Sequence, residues 1–298
     1  MVKIVECVPN FSEGRRKDVI ESIVNEIRSV EGVKLLDVES DKDHNRSVVT
    51  YVGEPDAVGE AAFRAIKKAS ELIDMEQHKG EHPRIGATDV VPFIPISDVS
   101  LEECVNLAKE VGKRVADELN IPVYLYEAAA TRPDRVNLAD IRKGEYEGLK
   151  TEISKIERHP DFGPAKMHPK AGATVIGARG PLVAYNVYLS TNKKEIADKI
   201  AKAVRFKDGG YRYCKALGFE IKERGVVQVS MNLTDYTKTP IFRVFETIKS
   251  EAERYGVHVI SSEIVGLVPM NALVDVAAHY LKLENFNYSQ VLEKRLME

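Results

Sequence analysis

The sequence predicts a mixed α/β (α+β) protein built in two halves of like construction. Three observations lead there. Short β-branched runs alternate with segments of helical apolar spacing; the order of these segments begins again after Gly180; and no tract is low in complexity or approaches the ~18 apolar residues of a membrane span. The halves share element order without detectable sequence identity and are expected to divide as 1–178 and 179–298.

Lys3 to Val8 is β-branched and apolar and runs into Pro9-Asn10-Phe11-Ser12-Glu13-Gly14, a strand entering a turn. From Arg16 to Val30 the apolar residues Val19, Ile20, Ile23, Val24 and Ile27 recur at helical spacing, and Gly32 stops the pattern. Two β-rich runs follow, Val33 to Val38 and Ser47 to Val52, separated by the polar stretch Ser40-Asp41-Lys42-Asp43-His44-Asn45. Pro55 opens a helix reaching about Ile73, since proline suits a first helical turn. A strand over Val90 to Ile96 completes the split βαβ order of a ferredoxin-like unit. A helix from Leu101 to Leu119 and a strand at Val123 to Tyr126 extend it.

After Gly177-Ala178-Arg179-Gly180-Pro181 the order repeats. It reads strand Leu182 to Leu189, helix Lys193 to Val204, strand Leu217 to Ile221, strand Val226 to Met231, helix Thr239 to Tyr255 and strand Val257 to Ser262. A further helix, Ala272 to Leu283, leaves only Glu284 to Glu298 behind it. Two packed α/β subdomains would leave a cleft, where ligand sites commonly lie.

A chain of 298 residues can bury roughly three-quarters of its unfolded surface, so it needs no disulfide or structural metal. With 44% hydrophobic and 30% charged residues, disordered and fibrous classes are excluded. A net charge of -3 and a pI near 6.2 provide no overall basic field for nucleic acid or acidic membranes, which leaves small-molecule partners. Cys7, Cys104 and Cys214 contain no C-x-x-C and are expected to be buried thiols. Met1-Val2-Lys3-Ile4-Val5-Glu6-Cys7 carries no signal-peptide pattern, so the protein is read as cytoplasmic.

The densest polar cluster is His78-Lys79-Gly80-Glu81-His82-Pro83-Arg84-Ile85-Gly86-Ala87-Thr88-Asp89. Its first five residues match H-x-x-E-H, a zinc signature that requires both histidines on one continuous helix. Gly80 weakens a helix and Pro83 pushes His82 towards extended geometry, so no metal site is expected. Two readings stay open on pattern alone: a surface loop with satisfied histidines, or a reactive loop in which His82 is a general acid/base. Glu39, at the end of the second predicted strand, is either its carboxylate partner or an exposed strand end. Between Arg158 and Arg179, six basic or imidazole groups face the single acid Asp161 among interleaved glycines and prolines. That suits either a solvated linker or a site for an anionic small molecule. Asp208-Gly209-Gly210-Tyr211 fits no nucleotide motif and alone is a turn.

Taken together, Val5-Glu6-Cys7-Val8-Pro9-Asn10-Phe11-Ser12-Glu13-Gly14, Gly80-Glu81-His82-Pro83-Arg84, Asp161-Phe162-Gly163-Pro164, Gly172-Ala173-Thr174-Val175 and Val265-Gly266-Leu267-Val268-Pro269 resemble the formiminotransferase family along nearly the whole chain. The resemblance implies two ferredoxin-like subdomains packed face to face around a ligand tunnel, a homodimer, and tetrahydrofolate as co-substrate without a metal. The activity implied is transfer of the formimino group of N-formimino-L-glutamate to tetrahydrofolate, giving 5-formimidoyltetrahydrofolate and glutamate, in histidine catabolism.

It makes His82 the acid/base catalyst and Glu39 the candidate carboxylate, in place of the Asp of known members. It assigns folate binding to Gly163, Pro164, Ala165, Lys166, Met167, His168, Pro169, Lys170, Ala171 and Gly172, with Gly209, Gly210 and Tyr211. The Lys166-Met167-His168 and Lys170 stretch is more basic than in those members, and no room is left for the cyclodeaminase domain some of them carry. Two alternatives remain: formyl exchange between 5-formyltetrahydrofolate and glutamate, and a folate-binding protein without turnover.

Overall fold

The computed structural model describes residues 2–297. By internal packing the chain divides into two units, one ending at Arg179 and one beginning at Gly180. In the first, strand β1 (Ile4–Cys7) and the two-residue β2 (Asn10–Phe11) are successive pieces of one sheet position, broken at Val8-Pro9. Helix α1 (Lys17–Arg28) buries Val19, Ile20, Ile23, Val24 and Ile27, the apolar stripe its spacing predicts. Strands β3 (Val33–Asp41) and β4 (Arg46–Gly53) form a hairpin in which Asp41 pairs with Arg46 and Glu39 with Val48. Helix α2 (Pro55–Leu72), with Pro at its first position, leads through the polar loop to β5 (Thr88–Ser97).

In space β5, β1 with β2, β4 and β3 are neighbours in that order, every pair antiparallel. This is the split βαβ arrangement that the element order predicts. Helix α3 (Leu101–Leu119) starts on a reciprocal Ser100/Glu103 capping box and ends at Asn120 in the left-handed conformation. Strand β6 (Val123–Glu127) then joins the sheet through β7 (Thr174–Ala178), which is parallel to both β5 and β6. The short helices α4 (Leu138–Ile141) and α5 (Glu145–Glu152) lie between them in sequence and add Ile141, Tyr146 and Leu149 to the core.

Strand β7 was not foreseen. All five of its residues are buried, so it lacks the two-residue alternation that marks a half-exposed strand.

The second unit repeats the plan. Strand β8 (Val183–Leu189), helix α6 (Lys194–Val204), strands β9 (Cys214–Ile221) and β10 (Val226–Leu233), helix α7 (Ile241–Arg254) and strand β11 (Val259–Val265) follow in order. The sheet runs β11, β8, β10, β9, again antiparallel throughout. Its own core joins Val187, Val229 and Met231 of the sheet to Ile200, Val244 and Ile248 of the helices. Helices α8 (Met270–Leu281) and α9 (Leu292–Met297) end the chain. Among the described residues no helix is long and apolar enough to cross a membrane.

Candidate active site

Helix α2 stops at Leu72 and residues 78–87 form no helix, so the H-x-x-E-H residues lack the helical frame their zinc reading requires. His78 Nε2 lies 3.0 Å from the Asn45 carbonyl, while its Nδ1 accepts from Arg84 Nε at 3.2 Å. The buried Arg84 guanidinium in turn forks onto Glu145 and Glu147 at 2.7 Å each. These contacts fasten the loop at both ends of the segment that holds His82. Gly80 is required by a close crossing, since a Cβ there would sit 2.3 Å from the His44 carbonyl oxygen. Among the described residues no cluster of three or more His, Cys, Asp or Glu side chains could hold a metal ion.

His82 is half-buried, and its Nε2 meets Nη1 of Arg46 at 2.5 Å. A guanidinium only donates, so this ring nitrogen must be the acceptor of a neutral imidazole. Burial first, then the charges of Arg46 and Arg142, hold the His82 pKa down at about 2. The ring of His44 stands edge-on at 6.3 Å between centroids, with its own Nδ1 turned 2.8 Å from Asp41 Oδ2. Arg142 pairs with Asp89, a carboxylate only 2% exposed that also accepts from the Ile85 backbone at 2.9 Å.

Glu39 lies on β3 and acts on the Arg46 guanidinium through space, as do Asp41 and Asp89.

The segment from Gly163 to Gly172 is stitched to the same loop. Gly86 and Gly172 form an antiparallel bridge, and the Ala87 amide donates to the Ala171 carbonyl at 2.8 Å. A Cβ on Gly86 would meet the Ala173 carbonyl oxygen at 1.9 Å, so the two chains can cross only over glycine. Within the segment, His168 and Gly172 exchange backbone hydrogen bonds at 3.1 Å. His168 Nδ1 accepts from the Ala171 amide at 2.9 Å, and Lys170 Nζ donates to the Glu71 carbonyl. Met167 and Ala171 are buried, whereas Gly163, Pro164 and Pro169 are exposed.

In the second unit Gly209 takes a φ of +97°, Gly210 passes so close to Val204 that a Cβ would lie 2.3 Å from its carbonyl carbon, and Tyr211 Oη sits 2.6 Å from Thr247 Oγ1.

Sequence reading missed Arg46, Arg142 and a role for Asp89. Arg46 carries a faint signal, as an arginine opening a β-rich run just after a polar hairpin loop. Asp89 ends the polar cluster but reads equally as a strand boundary. Arg142 is separated from Asp89 by 53 residues and has no local signal.

Fold and site define a ferredoxin-like α/β protein that presents a neutral histidine among cations, sewn to a glycine-bounded basic loop. The description "Formiminotransferase domain, N-terminal subdomain" matches residues 4–179, and "Formiminotransferase domain" matches residues 184–297. A glutamate formimidoyltransferase of Streptococcus pyogenes serotype M1 is 53% identical over 298 residues, covering 100% of both chains. One of Thermoplasma acidophilum is 54% identical over 297 residues, covering 99% of this chain and 98% of its own. The formimidoyltransferase-cyclodeaminase of Mus musculus is 47% identical over 289 residues, which are 95% of this chain and 53% of that protein. The chain belongs to the formiminotransferase family and is a transferase.

Proposed function

We propose that this protein transfers the formimino group of N-formimino-L-glutamate to tetrahydrofolate, giving 5-formimidoyltetrahydrofolate and glutamate. The names of its full-length relatives support the reaction. The structural observation that carries it is the neutral imidazole of His82 in a cationic surround. Residues 1–178 and 179–298 serve as the N- and C-terminal subdomains of a cytoplasmic homodimer working in histidine breakdown.

The residues from Gly163 to Gly172, with Gly209, Gly210 and Tyr211, hold the folate. Their composition fits it: glycine backbone allows close approach, and Lys166 can meet a carboxylate of the folate tail. Being neutral, His82 accepts the proton shed by the attacking amine as the new N–C bond forms. The imidazolium so produced returns that proton to the glutamate nitrogen as the old C–N bond breaks, so glutamate leaves as an amine rather than an amide anion. The neighbouring charge of Arg142 makes the imidazolium a stronger acid and favours the second transfer. Glu39 favours a donor that carries positive charge, as a formimino group does and a formyl group does not.

The test is a donor comparison with purified protein, formiminoglutamate with tetrahydrofolate against 5-formyltetrahydrofolate with glutamate. The formimino pair is expected to react faster by at least about tenfold, the worth of one favourable charge contact near a protein surface. The reverse preference would replace the formimino donor by formyl.

A further inference from the structure

Arg46 is an unusual guanidinium. It opens β4 opposite Asp41 and is half-buried, yet among the described residues it makes no ion pair with a carboxylate. The nearby acids are engaged elsewhere. Asp41 accepts from the backbone amides of Asp43 and His44 at 2.8 Å each and from the His44 ring. Asp89 is held by the Ile85 amide and by Arg142. Glu39 acts on Arg46 through space. Two guanidinium groups, Arg46 and Arg142, thus share one buried carboxylate, and burial weighs against the charge of Arg46. A guanidinium drawn partly out of water favours a carboxylate partner, and Arg46 spends its side-chain hydrogen bond on an imidazole instead.

Among the described residues the Arg46 side chain makes its hydrogen bond to the neutral ring nitrogen His82 Nε2. That contact has a chemical consequence. A nitrogen lone pair occupied by a guanidinium N–H cannot also take a proton from an attacking amine, so in this state the acid/base atom is capped. The capped base has a remedy in the donor itself, which is built on glutamate and brings carboxylates with it. Resting on the formimino-transfer reading above, we infer that Arg46 is the receptor for a carboxylate of the glutamate-based donor, and that docking the carboxylate draws the guanidinium off His82 Nε2 and uncaps the base. The bidentate fork of arginine suits a carboxylate far better than an imidazole. The arrangement makes proton transfer conditional on an occupied donor site.

The groups that bear on His82 are Arg46 from β4, Arg142 from the segment between α4 and α5, His44 from the hairpin loop and its own neighbour Pro83. Among the described residues, Arg46 is the side chain that touches the His82 ring nitrogen Nε2. The experiment follows the imidazole nitrogens of His82 by NMR in ¹⁵N-histidine-labelled full-length protein, titrated with formiminoglutamate, and separately with glutarate, in the absence of folate. Both ligands are expected to shift Nε2 and to raise the His82 pKa by at least about one unit, because a carboxylate cancels a neighbouring cation.

Calorimetry on Arg46→Gln and Arg46→Lys should show dicarboxylate affinity falling at least about tenfold, less in the lysine variant, while tetrahydrofolate affinity holds. A wild-type Nε2 resonance that bound donor leaves unmoved, or equal dicarboxylate affinity in wild type and Arg46→Gln, would overturn the role of Arg46. Neither result depends on turnover. Protein that binds glutarate through Arg46 but transfers no formimino group would sink the reaction proposed above and leave the carboxylate receptor standing.

Discussion

Replacing Asp89 by Asn removes the buried charge on which the cationic side of the site is built. Asp89 is 2% and Arg142 14% exposed at the side chain, so their pairing is shielded from water and salt. The amide keeps an oxygen for the Ile85 N–H but turns a nitrogen donor towards a guanidinium that has nothing to accept with. Breaking a buried pair by neutralising one partner costs about 3 to 5 kcal/mol, chiefly because the other charge stays desolvated. For a unit of this size each kcal/mol moves the midpoint by roughly 2 to 4 °C, so Asp89→Asn should lower the first unit's transition by about 6 to 20 °C. Tryptophan is absent from the chain, so the assay is thermal unfolding followed by far-ultraviolet circular dichroism. The double variant Asp89→Asn/Arg142→Met, which removes both charges, should recover at least half of the loss. A midpoint within about 2 °C of wild type for the single variant, equivalent to under roughly 1 kcal/mol, would refute the claim that the cationic side of the site is built on this buried charge.

Gly86→Ala should cost about 1 to 3 kcal/mol or more, since its Cβ would strike backbone oxygens of Ala173 and Ala171 rather than a movable side chain, and urea unfolding measures it. The depressed pKa of His82 gives a signed pH effect. Its neutral form belongs to the folded state and the unfolded chain binds the extra proton, so stability is complete above the ordinary histidine value near 6.5 and is lost as pH falls towards about 2. Between pH 6.5 and 4.5, before most carboxylates titrate, His82 contributes at most about 1.4 kcal/mol per pH unit, and less for a ring that is partly solvated. His82→Gln should flatten the unfolding free energy across that window, although His78 and His168, both also shifted down by burial, keep part of the slope. Cys7, Cys104 and Cys214 are at most 1% exposed, and burial pushes Cys7 up to about 12, so a thiol-specific disulfide reagent should label none in the native protein and three after denaturation.

What was legible in the sequence follows from which forces act locally. The stripe Val19, Ile20, Ile23, Val24 and Ile27 and the proline at position 55 declare their helices because period and capping are local properties. The split βαβ order was likewise readable in both halves, and β11, β8, β10, β9 and its counterpart in the first unit follow from it. Strand β7 escaped because burial on both faces erases alternation. In the site, Gly80 and Pro83 argued correctly against a continuous helix. The contact of His82 with Arg46 was not readable, because it is the β3 and β4 hairpin that brings the arginine there. Arg142 and Asp89 meet across 53 residues, and only the folded chain makes them neighbours.

The central claim is that His82 moves the proton in a formimino transfer. Its most direct test is to supply tetrahydrofolate and formiminoglutamate to wild-type protein and to His82→Ala, measuring 5-formimidoyltetrahydrofolate and free glutamate together with folate affinity. The account predicts stoichiometric product from wild type and turnover lower by about 10²- to 10⁴-fold in the variant, with folate binding retained. Equal turnover in the two proteins would contradict it.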